Sequence, residues 1–242
     1  AHKGAHGLVV LTGSDFGPQE NRLLVQLARA YGVRALGPDA LGLINTRLGK
    51  EMNATPGPMP RTGAVGLFCQ SAPFAVTLLA AVERRGLGLA QLVSAGHRAD
   101  VSGNDVMQFW GEDEGTDVVA LYLESIGNPR KFTRVARRLA SHKPVVVVTA
   151  GRTGHVAPPG HAVRPTRAPR RTFEEVLRQS GVVRVENVHQ MLDVVQLLGR
   201  ECAVPAEVEA QVAGSVVRAR LQRRGAEHLA QRGVHHVRAR VG

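Results

Sequence analysis

A segment that could bind a phosphate group lies between a predicted strand and a predicted helix. Its residues are Gln70, Ser71 and Ala72. The apolar run before it, 64–69, predicts a strand, and apolar residues at helical spacing follow it from residue 73 to residue 85. The free backbone N–H groups and the dipole at the start of a helix favour an anion. We therefore predict that these three residues contact a phosphate group.

A carboxylate occupies the matching position after another predicted strand. Glu124 follows the apolar run 118–123. In open α/β sheets the functional groups collect at the carboxyl ends of the strands. We therefore expect Glu124 to lie at the same edge of the sheet as Gln70 and Ser71. A structural role, in which Glu124 caps the next helix, is the alternative.

The elements that would position these residues alternate regularly after residue 60. Short β-branched runs are separated by stretches long enough for crossover helices, a pattern typical of parallel sheets covered on both faces. The predicted strands are 64–69, 90–94, 118–123, 144–149 and 182–185. The predicted helices are 73–85, 103–110, 129–140, 172–180 and 187–198. The sequence thus predicts an α/β fold for residues 61–198, a flavodoxin-like, doubly wound parallel sheet of five strands.

A shorter unit precedes this domain. Strand candidates at 7–11 and 33–36 flank a helical pattern that ends at Gly32, a residue suited to a C-terminal cap. The stretch 46–63 contains three Pro and three Gly without periodicity, and it is interpreted as a connection between domains. We place the domain boundary near residue 60.

The end of the chain differs from the rest in composition. Residues 199–242 contain eight Arg, no Lys and no strand pattern, and a single helix around 206–231 is the most structure that they suggest. The βα alternation also stops at residue 198. We therefore expect a basic tail that is non-native or poorly ordered.

Composition excludes several classes of protein. A formal charge of +11 would suit nucleic acid, but the excess is dispersed and only 4% of residues are aromatic, so stacking platforms are scarce. No apolar run approaches the roughly 18 residues of a membrane span. Two cysteines, Cys69 and Cys202, do not suggest a disulfide framework. We expect a cytoplasmic protein without nucleic-acid or membrane partners.

Seven segments, in order and at comparable spacing, resemble the ADP-forming acyl-CoA synthetases and, more distantly, the α subunit of succinyl-CoA synthetase. The segments are LGPDALGLINT (36–46), MNATPGP (52–58), LFCQSAPFA (67–75), GHRADV (96–101), LYLESI (121–126), KPVVVVTAGR (143–152) and LRQSGVVRVEN (177–187). The resemblance covers about residues 5–198. It implies that residues 1–60 are the C-terminal part of a Rossmann-like CoA-binding domain. The chain begins without Met and enters this domain partway, so we expect it to be truncated.

The resemblance also implies an activity, cofactors and partners. Enzymes of this family are acid-CoA ligases that work through an acyl phosphate and a phosphorylated histidine. CoA or acyl-CoA would be a ligand of this chain. ATP or ADP, with Mg²⁺, would act only through an ATP-grasp domain or subunit that nothing after residue 198 resembles. The isolated chain is therefore expected to be inactive.

The family pattern assigns roles to individual residues. It implies that His161 is the phosphorylated nucleophile, that Glu124 orients it, and that the segment at Gln70 holds the phosphoryl group. His155 is a weaker candidate because its spacing is wrong, and a solvated loop histidine is the alternative for His161. A carboxylate beside the imidazole would select one tautomer and stabilise the cationic ring.

Departures from the family pattern support a second hypothesis. Two prolines after His161, Pro165 and Pro169, remove backbone N–H donors from that loop. Where the family has a glycine after Gln-Ser, this chain has Ala72 followed by Pro73. Four arginines, which no acid accompanies, also enter this loop: Arg164, Arg167, Arg170 and Arg171. The alternative is a non-catalytic domain that senses CoA or acyl-CoA within a protein lysine acetyltransferase of the GNAT-fused type. An acetyltransferase domain would then be the partner.

Overall fold

The computed structural model describes residues 4–12, 17–150 and 170–201. Residues 1–199 form one compact unit, and a second unit begins at residue 200. Apart from residues 199–201, the tail that we expect to be poorly ordered or non-native lies outside the described ranges. No helix in the described part of the chain is long and apolar enough to cross a membrane.

Nine strands and six helices occur in the described ranges. In chain order they are β1 (Gly7–Val9), α1 (Pro18–Ala30), β2 (Arg34–Leu36), β3 (Gly42–Asn45), β4 (Met52–Asn53), β5 (Thr62–Cys69), α2 (Ala72–Arg84), β6 (Leu89–Ser94), α3 (Gly103–Glu112), β7 (Val118–Leu123), α4 (Pro129–Ala140), β8 (Val145–Thr149), α5 (Arg170–Gln179), β9 (Val183–Arg184) and α6 (Val188–Glu201). Strands β1 and β2 pair in parallel as a separate two-stranded sheet.

The predicted flavodoxin-like sheet is confirmed. Its five parallel strands lie in the order β6-β5-β7-β8-β9, which is the doubly wound order in which the second strand lies outside the first. The chain first moves outward from β5 to β6 and then returns to β7 on the other side of β5. The topological switch point therefore lies between the carboxyl ends of β5 and β7, after Cys69 and Leu123.

The count of five strands is too low, because β3 and β4 extend the same sheet to seven. β3 is antiparallel to β6, with Ile44 opposite Leu92, and β4 pairs with β3. Ile44 is buried and the Thr46 hydroxyl donates a hydrogen bond to the Leu89 carbonyl, 2.6 Å away. The stretch 46–63, which the sequence predicts to be a connection, thus contributes β4. The predicted boundary near residue 60 does not coincide with the edge of the sheet.

Two apolar layers cover the parallel strands. Successive residues of a strand point to opposite faces, so Leu67 packs in one layer and Phe68 in the other. Helices α2 and α6 cover the first face, and α3, α4 and α5 cover the second, with Trp110 fully buried there. Gly66 leaves space for that indole, because an added Cβ would lie 2.8 Å from Trp110. The helices thereby hold the strand ends at one rigid edge.

An ion-pair cluster ties the N-terminal elements to the larger sheet. The fully buried carboxylate of Asp100 accepts hydrogen bonds from Arg34 Nε at 2.7 Å, Arg29 Nη2 at 3.0 Å and the Ala35 backbone N–H at 3.1 Å. Burial alone would raise the pKa of Asp100, but these hydrogen bonds, that of Arg34 first, hold the pKa below its ordinary value. The carboxylate is thus charged at neutral pH.

Candidate functional site

The side chain of Gln70 joins the ends of β5 and β7 at the switch point. Its Oε1 accepts hydrogen bonds from the backbone N–H of Glu124 at 2.7 Å and of Ser125 at 3.0 Å. Its Nε2 donates to the Ser125 carbonyl oxygen at 2.8 Å. Gln70 is only 5% exposed, so water does not compete effectively for these bonds. The backbone at Glu124 is therefore held in one conformation relative to the start of α2.

Ser71 and Ala72 form the start of α2, as the sequence predicts. Ser71 is the N-cap residue, and its Oγ accepts a hydrogen bond from the Phe74 backbone N–H at 3.2 Å. Ala72 is the first helical residue, and Pro73 after it contributes no N–H. The first turn of a helix has N–H groups without intrahelical partners, and its dipole is positive towards this end. The start of α2 is therefore suited to an anion, with one donor fewer because of Pro73.

Glu124 is buried, with 8% of its surface exposed, and it belongs to the same edge. Burial raises the pKa of the Cys69 thiol and of the Tyr122 hydroxyl, and the charge of Glu124 contributes to both shifts. Its carboxylate therefore lies near these two groups. The Tyr122 ring in turn stacks on Phe74 of α2, with ring centroids 4.1 Å apart. The Glu124 backbone, whose N–H donates to Gln70 Oε1, thus lies next to the residue that precedes the N-cap of α2.

Glu124 is not the N-cap residue of α4. The N-cap of α4 is Asn128, whose side chain accepts a hydrogen bond from the Lys131 backbone N–H at 3.1 Å. The structure thus brings together four of the five predicted site residues: Gln70, Ser71, Ala72 and Glu124. The fifth, His161, and its weaker competitor His155 lie outside the described residues. The distance between His161 and Glu124 stays a prediction.

Sequence reasoning missed the function of the Gln70 side chain and the polar residues beside it. Phosphate binding by Gln70 stays a prediction, and its side-chain amide joins two strand ends. Arg98 belongs to the GHRADV segment, and its Nη1 donates to the same Ser125 carbonyl at 3.1 Å. Both lie at the carboxyl end of a strand, the signal that could have identified them. Within the described ranges, no group of three His, Cys, Asp or Glu side chains is placed to bind a metal ion.

Comparison with known proteins identifies relatives of this chain. The family model of the succinyl-CoA ligase like flavodoxin domain matches residues 62–198. An ADP-forming acetate–CoA ligase I of Archaeoglobus fulgidus is 35% identical over 185 residues, which are 75% of this chain and 27% of that protein. The α subunit of an ADP-forming acetate–CoA ligase I of Pyrococcus furiosus is 31% identical, over 75% of this chain and 39% of that subunit.

A solved structure shares the architecture. The acetyl-coenzyme A synthetase 1 of Ca. Korarchaeum cryptofilum, described as dinucleotide forming and solved with phosphate and ADP, superposes with a TM-score of 0.71 and 29% identity. The match covers 82% of this chain and 44% of that one. The chain thus spans less than half the length of each of these relatives. Because the family model covers more than half of its residues, the chain belongs to the family of succinyl-CoA-ligase-like flavodoxin domains.

Proposed function

We propose that the chain is part of an acid-CoA ligase of the nucleoside-diphosphate-forming class, and that its switch-point edge receives the phosphoryl group. The observation that carries this proposal is the Gln70 amide, which holds the backbone of Glu124 and Ser125 through three hydrogen bonds. The strand end that bears Glu124 is thereby held next to the positive end of α2. Phosphoryl transfer needs such preorganised groups more than it needs covalent chemistry.

In the proposed reaction, His161 accepts a phosphoryl group from an acyl phosphate. A neutral ring nitrogen attacks phosphorus, the bond from phosphorus to the acyl oxygen breaks, and the acid leaves as a carboxylate. Glu124 accepts a hydrogen bond from the other ring nitrogen and stabilises the positive charge that develops on the ring. The start of α2, at Ser71, stabilises the phosphoryl oxygens. Transfer from the phosphohistidine to ADP then yields ATP.

The remaining parts of the reaction require partners. We propose that an ATP-grasp domain or subunit supplies the ADP site and its Mg²⁺. Support comes from the Pyrococcus furiosus relative, whose name designates it as one subunit of a ligase. CoA or acyl-CoA is the proposed ligand of the unit formed by β1, α1 and β2. The relatives compared are CoA ligases, and the acetyltransferase-associated sensor stays an untested alternative.

Phosphate labelling tests the proposal. The chain, completed with its ATP-grasp partner and given labelled ATP and Mg²⁺, should acquire acid-labile, base-stable phosphate. His161→Ala should abolish the label, and Glu124→Gln should slow its formation by about a hundredfold to a thousandfold, the range for one electrostatic group at a site. His155→Ala and the surface variant Glu112→Gln are controls that should keep it. Label that persists in His161→Ala, or that is lost in His155→Ala, contradicts the assignment.

A further inference from the structure

The segment that joins β6 to α3 contacts both the N-terminal elements and the switch point. We call residues 95–102 the β6–α3 connection, and we call β1, α1, β2 and the loop at 37–39 the N-terminal unit. The connection begins beside the carboxyl end of β5, where the Ala95 N–H donates to the Cys69 carbonyl at 3.0 Å. It therefore leaves the sheet at the edge that carries the candidate site.

Backbone hydrogen bonds hold one side of the β6–α3 connection against the N-terminal unit. Alternate residues of the connection donate their N–H groups to carbonyl oxygens of that unit. The three bonds run from His97 to Pro38 at 2.7 Å, from Ala99 to Gly37 at 3.0 Å and from Val101 to Ala35 at 3.1 Å. Because backbone groups that lose their partners away from water cost free energy, a shift of the N-terminal unit alone would be opposed by all three bonds.

A side chain and a close backbone contact reinforce this attachment. The buried Asp100 carboxylate accepts hydrogen bonds from Arg29 and Arg34 of the N-terminal unit. Gly96 has a φ of 51°, and an added Cβ there would clash with the Pro38 carbonyl. Only a residue without a side chain permits such an approach. We therefore expect the connection to follow any movement of the N-terminal unit.

The side chain of Arg98 contacts the end of β7 instead. Its Nη1 donates to the Ser125 carbonyl at 3.1 Å, and the same oxygen accepts a hydrogen bond from Gln70 Nε2 at 2.8 Å. Ser125 directly follows Glu124 in the chain. Arg98 also has a φ of 54°, a left-handed conformation that non-glycine residues rarely adopt and that persists where surrounding contacts hold it. The connection thus contacts the N-terminal unit through its backbone and the site through Arg98.

We infer that Arg98 is a positioning residue for Glu124, and that the β6–α3 connection couples the N-terminal unit to the switch-point edge. A movement of the N-terminal unit would carry the connection with it, and the guanidinium would then shift the Ser125 carbonyl and the adjoining Glu124. The inference rests on the proposed function only in naming this edge as the place of phosphoryl transfer. A ligand that moves the N-terminal unit would thereby alter the position of Glu124.

Amide hydrogen exchange at Glu124 and Ser125, measured by NMR on the full chain, tests the positioning role. Arg98→Met removes the donor to the Ser125 carbonyl and should accelerate exchange at both amides by about fivefold, the effect of one hydrogen bond. Arg98→Lys keeps a cationic donor and should return exchange to within about twofold of the unsubstituted chain. Arg137→Met is the matched control, because Arg137 likewise donates to a backbone carbonyl, that of Gln179. It should leave both amides within about twofold.

A double-mutant cycle tests the coupling to the N-terminal unit. Asp100→Asn weakens the attachment of the connection and should also accelerate exchange at Ser125 by about fivefold. Adding Arg98→Met to Asp100→Asn should accelerate it by less than about a further twofold, because both residues act through one connection. Independent effects would instead multiply to about twenty-fivefold. Gly66→Ala, which crowds Trp110, controls for a general loss of stability and should leave Ser125 exchange within about twofold.

Phosphate labelling connects the exchange results to the reaction. In the chain completed with its ATP-grasp partner, Arg98→Met should slow label formation by at least about tenfold, since small misplacements of a group at a site are costly, and Arg98→Lys should restore it. Unchanged Ser125 exchange or unchanged labelling in Arg98→Met would overturn the positioning role. Multiplicative effects in the cycle, or equal acceleration by Gly66→Ala, would overturn the coupling. The exchange measurements use no activity, so label that persists in His161→Ala would count against the proposed function alone.

Discussion

Replacing Gln70 by Met should destabilise the fold by an amount that can be worked out from three hydrogen bonds. The methionine side chain has a similar length and keeps the apolar contacts, but it removes one acceptor and one donor from a buried position. The N–H groups of Glu124 and Ser125 and the Ser125 carbonyl then lose their bonds to the side chain. At about 1 kcal/mol of net stability for each bond, the loss is about 3 kcal/mol.

Urea unfolding followed by circular dichroism measures this loss directly. For a domain of this size, 1 kcal/mol corresponds to about 2–4 °C in Tm, so Gln70→Met should lower Tm by about 6–12 °C. Gln91→Met is the matched control, because Gln91 is also a buried glutamine, within β6, but its side chain accepts a single bond, from Trp110 Nε1 at 2.8 Å. It should cost about 1–2 kcal/mol. If Gln70→Met costs no more than Gln91→Met, the Gln70 amide does not hold the strand ends together.

Two further predictions concern stability. Asp100→Asn should lower the free energy of unfolding in urea by about 1–3 kcal/mol. This is less than the loss for a fully buried ion pair, because both arginines are more than half exposed. The control Asp193→Asn, at an exposed ion pair, should lower it by less than about 1 kcal/mol. Since the pKa of Asp100 is lowered in the folded state, its contribution to stability is complete at neutral pH and is lost as the pH falls below about 5. The unsubstituted protein and Asp100→Asn should therefore converge in stability in acid. A constant difference between them down to pH 2 would contradict this. Gly66→Ala should cost about 1–3 kcal/mol, because the new Cβ would lie 2.8 Å from Trp110. Gly111→Ala in α3, with its nearest neighbour at 3.9 Å, should be neutral or stabilising, and equal effects of the two would disprove the steric argument.

The sequence alone determined the parallel part of the fold. Each of the five strands from β5 to β9 is a short apolar run between helix-length segments, and this local pattern requires both faces of the sheet to be covered. The order of the strands along the chain and the right-handedness of crossover connections then limit the sheet to a few possible topologies. The segment from Gln70 to Ala72 and the position of Glu124 followed from the same pattern, because both come directly after a strand.

The tertiary structure alone decided the edge strands. β3 and β4 have four and two residues, and a Gly/Pro-rich stretch surrounds β4. Their pairing depends on contacts between residues distant in sequence, such as Ile44 with Leu92. The strand propensity of a short segment does not predict such contacts. Gly42 adopts a φ of 126°, and an added Cβ would lie against the Ala54 carbonyl, a constraint that exists only once the strands have paired.

The organisation of the site was also a tertiary result. Residue types and strand ends predicted which groups share an edge. The hydrogen bond that the Glu124 N–H donates to Gln70 Oε1, however, spans 54 positions and needs the register of β5 against β7. A pocket beside the switch point likewise combines Arg98 and Asn104 of the β6–β7 connection with Lys131 of the β7–β8 connection. Local sequence patterns record the periodicity of each element, whereas distances between side chains of different elements depend on how the elements pack. For that reason the sequence determined the edge at which this protein carries its functional groups, and only the packed structure determined which of them meet.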